Sequence, residues 1–584
     1  MRRLLTTITH MLQGISQAVS RFPLTVLCLL GSASLACYVI SLHAEPDLII
    51  QKLLLVFLLG SLAGVAAQFA WERWPNSSRR RLTVYGLAVL LIASYYFMLA
   101  DAPSIDLAVM IRTLVVMFVL VCLFLWFPAS GGKFDFNSVA LIHFKSALTS
   151  VVYAIVLSIG LTGLITAIDV LLFRLNRDVY LYTLVIVWLL FATLYYLAQL
   201  PLFNSEKEAD RRYTAEASEY PRVLEILVSR IAVPLLAAYT AVLLIYFIKI
   251  GLTRQWPVGQ LGPLVLGYAA AGQIVFILAS RLDNRWALSY QRLFPKALIP
   301  IVLMQLVAIY IRLQAYGITE ARYYLTLFAV FSLLVGIIFS LRPRTKNSVI
   351  ALLAAGLALV SILPPVDALT VSRLSQVSRL EQLLQKAGVL VAGQLQPKAD
   401  VDLAVRVETT NIINYLARRD YLASVSWLPA DFNVQRDMRQ TLGFDPTYSY
   451  MQPSDMEYFY AHLEPQAVLP VAGFDVMLRV GNQRDELVRL DFVVGGANYQ
   501  LVLEPMSDQD VRLSIQTAAG TELVSTRLQD FVDGLRADDL QNELPLERMT
   551  LDVASAQCKL RIIFQNINVN SSWMHCNLII LVGF

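Results

Sequence analysis

Residues 323–382 read YYLTLFAVFSLLVGIIFSLRPRTKNSVIALLAAGLALVSILPPVDALTVSRLSQVSRLEQ, and they decide the fold. The run 323–341 carries no charge. A basic loop follows with Arg342, Arg344 and Lys346, and then a second uncharged run over 348–366. From Asp367 onward charged residues return, and no long apolar stretch occurs again before residue 584. A bilayer core takes roughly 20 apolar residues per helix, so the chain changes solvent near residue 366.

Working back from there, the same signature recurs at 24–43, 51–70, 82–100, 107–127, 147–173, 179–200, 228–250, 261–280 and 298–313. With the two runs above, this predicts about 11 transmembrane helices. Span 147–173 is overlong and 298–313 is short, so ten or twelve also fit. The composition agrees: 57% of residues are hydrophobic and 15% charged, against about 25% charged in soluble chains. The expected fold is an α-helical polytopic membrane domain plus a C-terminal α+β domain with a mainly antiparallel sheet. The expected division is 1–22 as an amphipathic cytoplasmic segment, 23–366 as the transmembrane domain and 367–584 as an extracytoplasmic domain.

Charge is split along the chain. Residues 1–366 hold 29 Lys+Arg and 16 Asp+Glu, whereas 367–584 hold 18 and 27. An acidic soluble part argues against nucleic acid as a partner, because phosphate needs basic surface. Alternate loops collect the cations, among them Arg21, Arg79–Arg81, Arg211, Arg212, Arg292, Lys296, Arg344 and Lys346. Cytoplasmic loops are enriched in Lys and Arg. The alternation therefore predicts a bacterial cytoplasmic (inner) membrane protein with its N-terminus inside. After an odd number of crossings, residues 367–584 lie outside. Ser34-Leu35-Ala36-Cys37 is similar to a lipoprotein cleavage site, but the long basic n-region favours an uncleaved first helix. Residues 1–20 place Leu4, Leu5, Ile8, Leu12, Ile15 and Val19 on one helical face. That reads as a surface-lying amphipathic helix or as a frayed start.

Small residues at Gly60 and Gly64, and again at Gly160 and Gly163, let helix backbones approach closely. Charges inside or near spans point to special sites, since burying them in hydrocarbon is costly. Asp169 and Lys249 are the candidates here, with Arg174 as a simple partner for Asp169. The densest polar cluster follows span 9: Arg312, Tyr316, Gly317, Thr319, Glu320 and Arg322. Gly317 permits a turn with positive φ, and Thr319 can cap the next helix. The cluster reads either as a hairpin stapled by an Arg–Glu pair or as a ligand or partner site.

Arg312, the run Tyr316-Gly317-Ile318-Thr319-Glu320, Arg322 and Tyr323 resemble the signature of the bacterial domain-of-unknown-function 4153 family. Ser375-Gln376 with Arg379-Leu380-Glu381 is similar to the family's helix leaving the membrane, and Asn411–Leu416 with Arg418 and Arg419 to its next helix. The resemblance implies an integral membrane protein of unassigned activity, with no catalytic residue to carry over. In place of the family's usual Gly-Tyr-Asp-Tyr-like stretch stands Gly473-Phe474-Asp475-Val476.

In the soluble part, helical spacing covers 371–391 and a second helix runs to about Arg419. Strands are predicted at 474–480, 487–494, 498–504, 511–516, 521–526, 558–566 and 573–582, with a helix over 527–537. Cys558 and Cys576 are a candidate disulfide if this part faces an oxidising compartment. No metal-ligand spacing, P-loop or dinucleotide fingerprint occurs, so no metal and no cofactor is expected. Tyr448, Tyr450, Tyr458 and Tyr460 are candidates for stacking on sugar or peptide.

Three functions follow. The first is a non-enzymatic binding, sensing or scaffold protein of the cell envelope, with an envelope protein, lipid or glycan partner. The second is a polytopic glycosyltransferase acting on lipid-linked sugar, with Glu45 or Asp47 in the first outer loop as catalytic base. The third is a transporter, for which the charges lie too far toward the outer edge.

Overall fold

In a computed structural model the described residues are 2–73, 78–130, 134–253, 261–429, 431–448, 459–465, 467–481, 487–507, 510–537, 542–570 and 573–584. They form two compact units: residues 1–382 with 416–428, and residues 383–415 with 429–584.

The first unit is helical. Its elements are α1 (Arg2–Arg21), α2 (Pro23–Leu42), α3 (Leu48–Arg73), α4 (Ser78–Ala100), α5 (Leu107–Ala129), α6 (Phe136–Leu171) and α7 (Asp178–Ala198). They continue with α8 (Glu208–Ala217), α9 (222–253), α10 (Leu261–Ala279), α11 (Arg285–Tyr316), α12 (Glu320–Leu341) and α13 (Ser348–Val360). Then α14 (Ala368–Ala387) leads out. Among the described residues, ten helices are long and apolar enough to cross a bilayer. This is a multi-pass membrane protein.

The eleventh expected span is helical only over 13 residues. At 1.5 Å per residue that is about 20 Å, short of the ~30 Å hydrocarbon core. Pro364 and Pro365 follow it, and proline cannot continue a helix. Nevertheless the segment runs the length of α12. At its start the Asn347 amide donates to Asn137 (2.8 Å) and Ser280 (2.9 Å). At its end Tyr324 meets the Ser361 hydroxyl (3.2 Å), and the Tyr323 hydroxyl donates to the Val366 carbonyl (2.7 Å). The loop after α12 and the turn before α14 therefore sit at opposite ends of α12. The two spans of unusual expected length also resolve. The helix around 147–173 begins at Phe136, and the short run 298–313 is the apolar part of the 32-residue α11.

Two apolar cores hold this unit. One joins Phe22, Leu59, Phe69, Val139, Ile142 and Phe203. The other joins Val265, Phe294, Leu298, Ile301, Val302 and Ala329. Gly60 and Gly64 of α3 face Cys28 and Thr25 of α2, whereas Gly160 and Gly163 have nothing within contact distance. The first small-residue pair packs within the chain and the second does not. In α7 the helix widens over Ile186–Ala192 into a π-helical turn. The Ser150 hydroxyl of α6 donates to the Ala192 carbonyl there, a common repair where such a turn disturbs the backbone ladder.

The second unit contains α15 (Leu403–Ala417, to residue 415), α16 (Val434–Leu442), α17 (Leu528–Ala537) and two sheets, besides a two-stranded β1 (Leu390–Val391) and β2 (Gln394–Leu395). The first sheet comprises β3 (Phe459–Leu463), β4 (Val476–Gly481), β9 (Asn542–Leu544), β10 (Thr550–Ala554), β11 (Lys559–Asn570) and β12 (Trp573–Gly583), in the order β4-β12-β11-β3-β9 with β10 on β11. The second is a meander of β5 (Val488–Val494), β6 (Ala497–Ser507), β7 (Asp510–Thr517) and β8 (Glu522–Arg527). Among the described residues all pairings in these two sheets are antiparallel except β3–β9. Leu578–Val582 is a central strand with both faces buried, which is why it reads as an unbroken apolar run. Leu560, Ile562 and Phe564 share the core with Leu528, Val532 and Leu535 of α17.

Cys558 and Cys576 do not bridge. Neither is in a disulfide and both are buried, and burial pushes Cys576 up to about 12. Cys576 pairs with Ile567, nine residues along the strand from Cys558. At about 3.4 Å per residue that is roughly 30 Å, far beyond the ~7 Å a disulfide tolerates. Denatured protein treated with an alkylating agent and no reductant is expected to show all five cysteines modified. A mass two labels short would overturn this register.

Candidate functional site

The polar hairpin between α11 and α12 is held by α14. Gly317 has φ +67° and ψ −179°, a region essentially closed to residues with a Cβ. That bend turns three backbone groups toward α14. The Gln376 amide donates to the Tyr316 and Ile318 carbonyls (both 3.0 Å). The Ser375 hydroxyl accepts from the Ile318 N–H (2.9 Å). Arg322 closes the hairpin from the other side, donating to the carbonyls of Tyr316 (3.0 Å) and Gly317 (2.9 Å). The guanidinium groups of Arg322 and Arg379 both lie over the Tyr316 ring, at 5.5 and 5.8 Å, a cation–π arrangement.

Glu320 is buried, and Arg419 pairs with it (3.8 Å). Asp420 takes a left-handed conformation (φ 56°) and returns the chain, so that the Tyr421 hydroxyl donates to Glu320 (3.5 Å). Burial first, and the Glu320 carboxylate second, push Tyr421 up to about 12. It stays protonated and keeps its donor. The Trp427 indole adds a bond to Glu381 (3.3 Å). So the staple expected from a local Arg–Glu pair is partly a distant one. The Arg312 side chain makes no hydrogen bond or ion pair among the described residues. Thr319 stands at the N-cap position of α12, but its hydroxyl makes no capping bond there.

Three stretches separate in sequence, around Tyr316, Gln376 and Arg419, thus fold into one knot within the first unit. It is dense in hydrogen bonds and cations, and its backbone is fixed. Such an arrangement fixes α14 to the α11–α12 pair.

The other sequence candidates stay apart from it. Asp169 accepts the Leu175 N–H (2.6 Å) and so closes the turn after α6; it has no ion pair with Arg174 among the described residues. Lys249 is exposed, so its ammonium can snorkel toward the interface. Glu45 and Asp47 are both exposed, and Asp47 precedes α3, where its carbonyl receives the Ile50 and Gln51 N–H groups. Sequence reading missed Lys52, which is buried and donates to the carbonyls of Ala100 (3.0 Å) and Ala102 (2.7 Å). It also missed buried Asp178, bound to His43 (3.1 Å) and Asn176 (2.9 Å). Only packing separates these from ordinary loop charges.

The second unit holds a polar cleft of about 490 Å³ at one end of the meander. Asp491, Asn498, Gln500, Gln516 and Thr517 line it beside the Tyr499 ring. Register brings them together: Asp491 faces Gln500, and Gln500 faces Gln516. Gln500 donates to Asp491 (2.7 Å). Tyr499 is held by stacking on Phe584 (4.1 Å) and Phe492 (5.8 Å). Of the tyrosines singled out for stacking, Tyr448 bonds Gln435 and Tyr460 stacks on His462. Tyr450 and Tyr458 lie outside the described residues. The cleft was not foreseen, because Gln and Asn on alternating strands read as a solvated face.

A family model described as Domain of unknown function (DUF4153) matches residues 30–399. The match takes in Tyr316–Arg322 and Ser375–Arg379, and it ends before Arg419. An uncharacterized protein of Pasteurella multocida (strain Pm70) is 27% identical over 311 residues, covering 52% of this chain and 50% of that relative. The chain thus spans about half the length of the curated relative it matches. No solved structure matches.

Proposed function

Starting from a chain that belongs to the family described as Domain of unknown function (DUF4153), we propose that the protein is a binding and sensing protein of the bacterial cell envelope. Its β unit takes a polyhydroxylated ligand, a glycan or the sugar part of a glycolipid, on the outer side of the inner membrane. The cleft beside Tyr499 carries the reading. A carboxylate and three carboxamides supply paired donors and acceptors for vicinal hydroxyls. The outer placement rests on the cationic alternate loops and on residues 347–366 running the full length of α12. The knot at Gly317 is the coupling element, since α14 leaves the first unit after Gln382. Sugar transfer has less behind it, because Glu45 and Asp47 are both exposed.

The test uses full-length protein in detergent, titrated with N-acetylglucosamine and glucose oligomers by calorimetry. Saturable binding is expected to one series. Asp491→Ala with Gln516→Ala is expected to weaken it at least about tenfold. No binding to either series, or equal binding by the variant, would remove the glycan reading. A reporter fused after Phe584 that is active only in the cytosol would remove the outer placement.

A further inference from the structure

The loop after α12 forms one wall of a second cavity, at the end of the bundle opposite the Gly317 knot. It measures about 490 Å³. Four cations line it: Arg292 and Lys296, one turn apart on α11, and Arg344 and Lys346 on the loop. The lining includes one carboxylate, Asp135. That group is already engaged, capping α6 by accepting the Asn137 N–H (3.1 Å). None of the four cationic side chains has a hydrogen bond or ion pair among the described residues.

The wall is built rather than incidental. Asn347 is buried, and its amide ties the loop to the start of α6 and the end of α10 through Asn137 and Ser280. Gln291 is anchored on the Ala279 carbonyl (2.8 Å). The Ser340 hydroxyl is buried in the lining with no hydrogen-bond partner among the described residues. Phe276 and Phe339 pack edge to face (5.3 Å) and give the cavity an apolar side.

Orientation signals need cationic loops, but they do not need those cations to converge on one cavity with a fixed amide wall. The four cations are exposed, and like charges that line one cavity repel one another, an effect that water moderates. A bound anion reverses its sign. Phosphate suits the donor set, with tetrahedral oxygens for Arg and Lys and a hydroxyl left to donate. The cavity is in the size range of small-ligand sites.

We propose that this cavity binds a phosphate-bearing anion, from either a lipid headgroup or a soluble phosphate compound. It lies wholly in the first unit and is independent of the glycan cleft.

The test is thermal unfolding of the full-length protein in maltoside micelles, which carry no phosphate. One arm adds inorganic pyrophosphate; the other adds phosphatidylglycerol. At least one probe is expected to raise the melting temperature saturably. Arg292→Gln with Lys296→Gln is expected to weaken that probe at least about tenfold. Arg79→Gln with Arg80→Gln, which removes two exposed arginines elsewhere, is expected to leave it unchanged. Response to phosphatidylglycerol alone assigns a lipid, and response to pyrophosphate alone a soluble ligand. No shift with either probe, or an equal loss in the Arg79/Arg80 variant, overturns the site. If the α11 double variant fails to fold, Arg344→Gln on the exposed loop makes the same test.

Discussion

Gly64→Ile is expected to be the most damaging single substitution in the membrane half. A Cβ at position 64 would stand 2.5 Å from the Thr25 hydroxyl and 2.7 Å from its backbone nitrogen. The second approach decides the matter, because a backbone atom cannot rotate away. Thr25 is itself buried and donates to the Ser61 carbonyl (3.0 Å), so it is held in place. A longer side chain must push α2 off α3 along the line where Gly60 meets Cys28. Separated helices gain little from lipid in exchange, since acyl chains are no more apolar than the helix faces they would cover. Overpacking on this scale costs about 3 kcal/mol. Detergent melting of Gly64→Ile, Gly64→Ala and Gly160→Ile is the measurement. The first should melt several degrees low and the second less so. The third should match the parent, because nothing lies within 4 Å of a Cβ there. Equal melting of Gly64→Ile and Gly160→Ile would refute the close packing of α2 on α3.

Gly317→Ala should be nearly as costly and should act at the knot. Two penalties add. The backbone at φ +67° and ψ −179° excludes a Cβ. The added carbon would also meet the Gln376 amide at 2.8 Å and the Ser375 hydroxyl at 3.3 Å. Those two side chains supply the bonds that tie the hairpin to α14. About 2–3 kcal/mol is expected, the upper part of the range for backbone strain. Gly388→Ala separates the penalties, because position 388 has φ +73° with open space around its Cβ. It should cost about 1 kcal/mol. Proteolysis of 369–382 should accelerate in Gly317→Ala and not in Gly388→Ala. Equal effects would mean that the knot contributes nothing beyond local strain.

Several elements could be placed from sequence because their signals are local. Residues 488–494 and 511–516 alternate with period two, and both are strands of the meander. The run 527–537 has helical spacing and is α17. Gly317 could be identified as the turn residue from its position alone. Other features were not local. β3 lies in a proline- and tyrosine-rich stretch whose composition reads as loop, and only its pairing with β11 makes it a strand. Nothing near Glu320 names Arg419 as a partner, 99 positions away. Arg312, the nearer and more obvious cation, has no ion pair among the described residues. The cleft beside Tyr499 and the cation-lined cavity share this property: each gathers residues that are unremarkable in their own segments.

The amino-acid sequence by itself determined the class of this protein, the change of solvent near residue 366 and most strand and helix positions. Each of these follows from how a short segment partitions between lipid, water and a packed face, which its own side chains decide. Tertiary structure alone decided that Cys558 and Cys576 stay apart, that Gly64 rather than Gly160 packs within the chain, and which cations meet a carboxylate. Those outcomes depend on strand register and on helix packing between residues far apart in the chain, and no local periodicity encodes such distances.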